Sequence, residues 1–294
     1  LKTKLLLIAL ISFVSQRAIA DDFAPDREIT YKTIGGVELK LHVFEPEGHQ
    51  ASDKTPAIVF FFGGGWSSGT PRQFFQQART LADEGMVAFS AEYRVKKRNK
   101  TTPFESVKDA KSAVRWIRIH AAELGIDPQR IAASGGSAGG HVAACTGLIE
   151  GEEEEGEDLT VSSVPNAMLL FNAVLDTTDK GFGRSRIGAD RDTDISPCHH
   201  VRPGIVPTLV LHGTKDRTVP FENAERFTRL MKAAGNQCQL EAFENQEHGF
   251  FNSTFFRPKI KDTSVYEQGM QKCCAFLTTL GYLNGTMKTT RAEP

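Results

Sequence analysis

The chain has 294 residues, 40% of them apolar and 24% charged, with a formal net charge of −1. That length and balance suit one large globular domain and exclude a low-complexity or disordered chain. A nearly neutral chain offers no electrostatic reason to expect nucleic acid or an anionic membrane as a partner.

Lys2 and Lys4 precede a short apolar stretch, Leu5 to Val14, which ends near Ala18-Ile19-Ala20. Basic start, short apolar run and A-x-A site together predict a secretory signal peptide over residues 1–20. Residues 21–294 are then a single exported domain, periplasmic or secreted. Export permits disulfides, but five cysteines is an odd count, so at least one stays free or pairs between chains. Their spacing fits no zinc template, and no metal is expected.

Glu28–Tyr31 and Val37–Phe44 read as strands around a Gly35-Gly36 turn. Pro56–Phe62 is apolar on both faces, as a central strand covered by helices on both sides must be. It runs into Gly63-Gly64-Gly65-Trp66. A helix is predicted over Pro71–Asp83, with Thr70 as its cap. Met86–Ala91 is the next buried strand. Pro103–Ala122 is a long amphipathic helix with Val107, Ala110, Val114, Ile117 and Ala121 on one stripe.

Arg130–Ser134 is a short apolar strand that breaks into Gly135-Gly136-Ser137-Ala138-Gly139-Gly140, and a small-residue helix resumes from about His141. This is G-x-S-x-G between strand and helix, a nucleophile elbow. The sharp turn lifts the Ser137 hydroxyl out of the core, above a helix N-terminus whose N–H groups favour a developing anion. Beyond it, Gly151–Asp158 is an acidic insert, predicted as a solvated loop. Strands are expected over Ala167–Asn172, Pro207–His212 and Gln239–Phe243, and helices over Phe221–Ala234 and Ser264–Leu280. The irregular stretch Thr177–Val206 is expected to cover the sheet's active edge. Strands alternating with helices define an α/β fold with a mainly parallel central sheet, helices on both faces and an N-terminal antiparallel hairpin.

A serine hydroxyl needs a base, and the base an orienting carboxylate. Both should lie in loops just past strands, at the carboxyl edge of the sheet. Asp216, directly after the PTLVLH strand, is the best acid, with Asp176 second. His248, just past the last strand, is the best base. His212 comes too early in the chain order, His141 follows the serine on its helix, and His199 and His200 lie in the covering segment. Oxyanion donors are expected from the backbone of Ala138 and from Gly64 and Gly65.

These motifs resemble the α/β-hydrolase superfamily, and within it secreted bacterial esterases of the acetyl-xylan-esterase and hormone-sensitive-lipase-like type. The similarity rests on FGGGW (Phe62–Trp66), Glu92-Tyr93-Arg94, Asp109–Arg118, Gly125–His141, HGTKD (His212–Asp216) and EHGF (Glu247–Phe250). It implies carboxylic-ester hydrolysis without metal or organic cofactor, on a small ester or an acetylated carbohydrate. A lipase, a prolyl-oligopeptidase-type peptidase and a non-catalytic binding protein are the alternatives, with Phe250, Phe251, Phe255 and Phe256 as a possible acyl pocket for the lipase. One departure stands out. The family usually has a histidine before the three glycines, bracing the loop by hydrogen bonding, and this chain has Phe62.

Overall fold

The computed structural model describes residues 23–285, so the signal-peptide expectation lies outside the described residues. Eight strands form one sheet in the order β1-β2-β4-β3-β5-β6-β7-β8. They are β1 (Arg27–Ile34), β2 (Val37–Phe44), β3 (Thr55–Phe61), β4 (Val87–Ala91), β5 (Ile126–Gly136), β6 (Ala167–Phe171), β7 (Thr208–Gly213) and β8 (Cys238–Phe243). β1 pairs antiparallel with β2, and β2 antiparallel with β4. Every later pairing is parallel. This is the mainly parallel α/β sheet with an N-terminal antiparallel hairpin that the alternation of apolar runs and helical stripes implied.

The helices longer than one turn are α1 (Phe75–Asp83), α2 (Pro103–Ile119), α3 (Ala138–Leu148), α4 (Glu222–Ala233) and α5 (Ser264–Thr279). Alternate residues of one strand serve opposite faces. Val59 and Phe61 pack with Val107, Val114, Val142 and Phe227 on the side of α2, α3 and α4. Ile58 and Phe60 pack with Phe74, Ala78, Phe276 and Leu277 on the side of α1 and α5. A central strand with both faces covered can be apolar throughout, as β3 is. α2 starts at a capping box: Thr102 Oγ1 accepts from the Phe104 N–H, and Glu105 accepts from the Thr102 N–H at 2.7 Å.

Several boundaries differ from expectation, three of them with a clear local description. β5 begins at Ile126, which pairs with Thr55 of β3 ahead of a register shift that leaves residues 127–130 without partners on that strand. α3 begins at Ala138 and not near His141, since the turn into it takes a single residue. Pro71–Phe74 forms a 3₁₀ turn ahead of α1.

The acidic insert is solvated only in part: Gly151, Glu155, Gly156 and Asp158 are exposed, but Glu153, Glu154 and Glu157 are half-buried and paired. Glu153 pairs with Lys111 and Arg115, each at 2.6 Å, Glu157 also pairs with Arg115, and Glu154 pairs with Lys32 at 2.7 Å and Arg94 at 2.6 Å. Lys32 and Arg94 both reach the fully buried Asp109. The run of like charge in sequence is countered by basic side chains from β1, α2 and the turn after β4, which only the fold brings together. Burial works against ionisation of Glu153 and Glu154, but their hydrogen bonds to lysine and arginine outweigh it and lower both pKa values from the ordinary 4.5. A depressed carboxylate pKa stabilises the fold above the unfolded value, and that stabilisation is lost as pH falls through the folded value. The melting temperature is therefore expected to fall below about pH 4.5, and the double variant Glu153→Gln/Glu154→Gln to flatten that fall. Calorimetry from pH 7 to pH 3 checks this; equally steep acid losses in both proteins would refute it.

All five cysteines are free and buried, so none is bridged.

Candidate active site

Because β3, β5, β7 and β8 run parallel, their carboxyl ends meet along one edge. β3 delivers the glycine loop, β5 delivers Ser137, β7 leads to Asp216 and β8 to His248.

Ser137 is the single residue between β5 and α3, at φ 58°, ψ −122°. For a residue with a Cβ this backbone costs about 1–3 kcal/mol and persists only where its surroundings enforce it. Its N–H donates to Phe171 O at 2.9 Å, and its carbonyl accepts from His141 at 3.0 Å and Val174 at 3.3 Å. The glycines of the elbow serve close approach. A Cβ on Gly139 would overlap the carbonyls of Phe61 and Phe62, and one on Gly136 would overlap the Phe251 ring.

His248 Nε2 lies 2.8 Å from Ser137 Oγ, and its Nδ1 lies 2.6 Å from Asp216 Oδ2. The ionised carboxylate can only accept, so Nδ1 carries the proton and Nε2 is left to accept from the serine hydroxyl. Asp216 Oδ1 accepts from the N–H groups of Thr218 at 2.8 Å and Val219 at 2.9 Å. Burial opposes its charge. The hydrogen bonds from His212 and His248 and that from the Val219 N–H prevail, holding the carboxyl well below the usual carboxylate range.

Asp176, the second choice for the acid, is elsewhere: it pairs with Arg226 on α4 and accepts from Thr178 Oγ1 at 2.6 Å. His212, set aside as a base, reaches the same acid, with Nε2 3.3 Å from Asp216 Oδ2 and 2.9 Å from Val219 O. His141 is fully buried, which holds its pKa down to about 4 against the raising effect of its bond to Ile195. It is neutral at pH 7, and its Nδ1 accepts from Trp66 Nε1 at 3.2 Å while Nε2 donates to Ile195 O at 2.7 Å. It thus ties the glycine loop to the serine's helix and to the covering segment. That segment also meets the glycine loop through Arg186, which donates to Gly65 O at 2.7 Å, and through Phe182, which packs on Trp66. His199 and His200 bond within the covering segment, to Ser196 and Thr193.

The glycine loop lies against the serine: a Cβ on Gly63 would be 3.3 Å from Ser137 Cβ. The Gly63 N–H is taken by Gln73 Oε1 at 2.6 Å. Among the described residues no protein acceptor takes the N–H of Gly64 or Gly65. Nor does one take that of Ala138, which as the first residue of α3 has no partner within its helix. Phe62 is fully buried, stacked on Tyr93 at 4.1 Å, and its carbonyl accepts from the Tyr93 hydroxyl at 2.5 Å. It contributes stacking to the loop in place of a side-chain hydrogen bond.

Sequence reasoning missed Asn172, fully buried with φ 40° immediately after β6. Its Oδ1 accepts from Gly213 N–H at 3.0 Å and its Nδ2 donates to Glu247 O at 3.4 Å, bracing the acid loop and the histidine loop. A polar residue ending an apolar strand at the carboxyl edge was the available signal.

A mainly parallel sheet with a strained serine at one strand end, hydrogen-bonded to a histidine and through it to a buried aspartate, defines the class of α/β hydrolases. Residues 41–181 match the BD-FAE family, and residues 192–280 match the dienelactone hydrolase family. Esterase 2 of Thermogutta terrifontis superposes with a TM-score of 0.83 at 46% identity, covering 88% of this chain and 96% of that one, in a structure phosphoramylated by tabun. Its propionate-bound form gives 0.84 at 44% identity over 90% of this chain and 97% of that one. Carboxylesterase NlhH of Mycobacterium tuberculosis is 25% identical over 81% of this chain and 80% of that protein. Esterase LipC of the same organism is 28% identical over 66% of this chain and 53% of its own length. The chain spans about half the length of LipC and of other curated relatives that it matches. The chain belongs to the α/β-hydrolase esterases.

Proposed function

We propose that the chain hydrolyses carboxylic esters through Ser137, His248 and Asp216. The observation that carries this is the continuous hydrogen-bonded path from Ser137 Oγ through the imidazole to the Asp216 carboxylate, beside three N–H groups without protein acceptors. His248 Nε2 takes the Ser137 proton as Oγ attacks the ester carbonyl. Asp216 keeps the imidazole in the productive tautomer and stabilises it once protonated. The N–H groups of Gly64, Gly65 and Ala138 receive the oxyanion, a contribution comparable to the roughly 10²–10³ in turnover that one such donor is worth. His248 then gives its proton to the leaving alcohol. A water deprotonated by the same nitrogen cleaves the acyl-enzyme.

The acyl group in this reading is short, and the ester small, with acetylated carbohydrate as the favoured natural class. Three of the four rings that could have lined a long acyl channel are engaged in packing: Phe250 stacks on Phe243, Phe251 on Phe74 and Phe255 on Phe75. That speaks against the lipase alternative. The Thermogutta esterase with propionate bound points the same way. The test is a series of p-nitrophenyl esters from acetate to laurate, alongside acetylated xylo-oligosaccharides. Expected is a kcat/KM that peaks at two to four acyl carbons, roughly tenfold or more above laurate, as a short pocket allows about 1–3 kcal/mol per misfitting methylene. A maximum at ten or more carbons would overturn the short-acyl reading.

A further inference from the structure

Gln76 and Gln77 lie three and four residues after Gln73, on the stretch that forms the 3₁₀ turn and the start of α1, so both neighbour Gln73 on its face. All three reach the segment that follows His248. Gln77 Nε2 donates to Phe251 O at 2.9 Å, and Gln76 Oε1 accepts from the Phe255 N–H at 3.3 Å. Gln73 does more. Its Oε1 accepts the Gly63 N–H at 2.6 Å, and its Nε2 donates to Asn252 Oδ1 at 2.8 Å. Asn252 Nδ2 in turn donates to the carbonyl of Gly249 at 2.9 Å, next to His248. Gln73 and Asn252 are both over nine-tenths buried.

The direction of this chain is fixed at its ends. Gly63 N–H can only donate and Gly249 C=O can only accept, so each amide has one orientation that satisfies its neighbours. A flipped or missing amide would leave a buried donor or acceptor unpaired. The two ends of the path are the loop bearing the proposed oxyanion donors and the loop bearing the proposed base, and Ser137 sits between them. The path also supplies, from the opposite side, the side-chain hydrogen bond that Phe62 cannot give the glycine loop.

We infer that Gln73 and Asn252 are positioning residues that act as one strut, holding the oxyanion loop and the histidine loop in register across Ser137. The inference rests on the ester-hydrolase reading of Ser137. Such a strut matters more in the transition state than in the ground state, because only there does the oxyanion need its donors while His248 carries the proton. Displacement of about 1 Å in such a geometry can cost on the order of 10² in rate.

The experiment compares wild type, Gln73→Ala, Asn252→Ala, the double variant and the isosteric Gln73→Glu on p-nitrophenyl acetate. Active sites are first counted by stoichiometric reaction with a fluorophosphonate, so that kcat is read per reactive serine. Expected for Gln73→Ala is a kcat lower by about 30- to 100-fold with KM within about threefold, since an interaction made mainly in the transition state is lost. Gln73→Glu keeps the acceptor for Gly63 and loses the donor to Asn252, so it should recover part of that loss. The double variant should be no slower than the worse single one, because either cut already breaks the path. A double variant showing the product of the two single losses overturns the strut. So does a Gln73→Ala enzyme with fewer reactive sites or a lower melting temperature but unchanged kcat per site, which marks a purely structural role. A wild-type enzyme that neither reacts with the fluorophosphonate nor cleaves any ester removes the hydrolase reading, and this inference with it.

Discussion

Ser137→Ala is expected to lower kcat for p-nitrophenyl acetate by roughly 10⁵ to 10⁶, the scale seen when the nucleophile of such a constellation is removed. Nothing nearby can replace the hydroxyl. The helix after Ser137 begins with alanine and two glycines, and Cys145 on that helix is fully buried, its thiol pushed up by burial. Residual catalysis of about 10³–10⁴ over water should persist from binding and the oxyanion donors alone. The fold should survive, because the backbone bonds that fix residue 137 run through its N–H and carbonyl and not through its side chain. The variant should also lose fluorophosphonate labelling while keeping a wild-type circular dichroism spectrum. Activity within tenfold of wild type would remove Ser137 from the mechanism.

Asp216→Asn should lower kcat by about 10⁴ at neutral pH. The isosteric amide fills the same buried space, but its NH₂ donates where the carboxylate accepted. Oδ1 already receives the Thr218 and Val219 N–H groups, so the amide oxygen is held there and the NH₂ faces His248 Nδ1. Imidazole then carries its proton on Nε2, pointing it at Ser137 Oγ, where it cannot act as base. His212 faces the same position and meets the same mismatch. Because the defect is the absent deprotonated Nε2, kcat should rise with pH further into the alkaline range than in the wild type. A pH–rate profile checks this. A variant within tenfold of wild-type kcat at pH 7, or one with an unshifted profile, would show that another group orients His248. Asp176→Asn serves as the contrast: Asp176 faces Arg226 and Thr178, so the variant should spare the rate per reactive serine whatever it does to stability.

Much of this site was legible in the chain. Ser137 and Asp216 follow apolar runs that have to be buried strands, His248 follows the half-exposed edge strand β8, and parallel strands carry their carboxyl ends to a common edge. Asp216 was preferred over Asp176 for its place in HGTKD directly after the PTLVLH strand, and chain order then selected His248 over the other histidines. The glycines around Ser137 were legible for the same reason: only close backbone packing demands so many in succession. The acidic insert was misread because Lys32, Arg94, Lys111 and Arg115, which neutralise it, lie 38 to 122 positions away in sequence. A local reading sees only like charge. Gln73, Asn172 and Asn252 were missed for a related reason. An amide side chain carries no periodicity of its own, and its partner is set by which loops the sheet happens to juxtapose.

The sequence by itself determined the sheet, its covering helices and the elbow, because those follow from apolar periodicity and from backbone sterics at glycine, and the order of the three proposed catalytic residues came with the elbow motif. Only the tertiary structure decided how the loops at the carboxyl edge are held, because that depends on hydrogen bonds and ion pairs between residues far apart along the chain. Gln73 to Gly63 and Asn252, Asn172 to Gly213 and Glu247, and His141 to Trp66 and Ile195 are such bonds. Each is directional and short-ranged, so it exists only once the chain has brought both partners within about 3 Å.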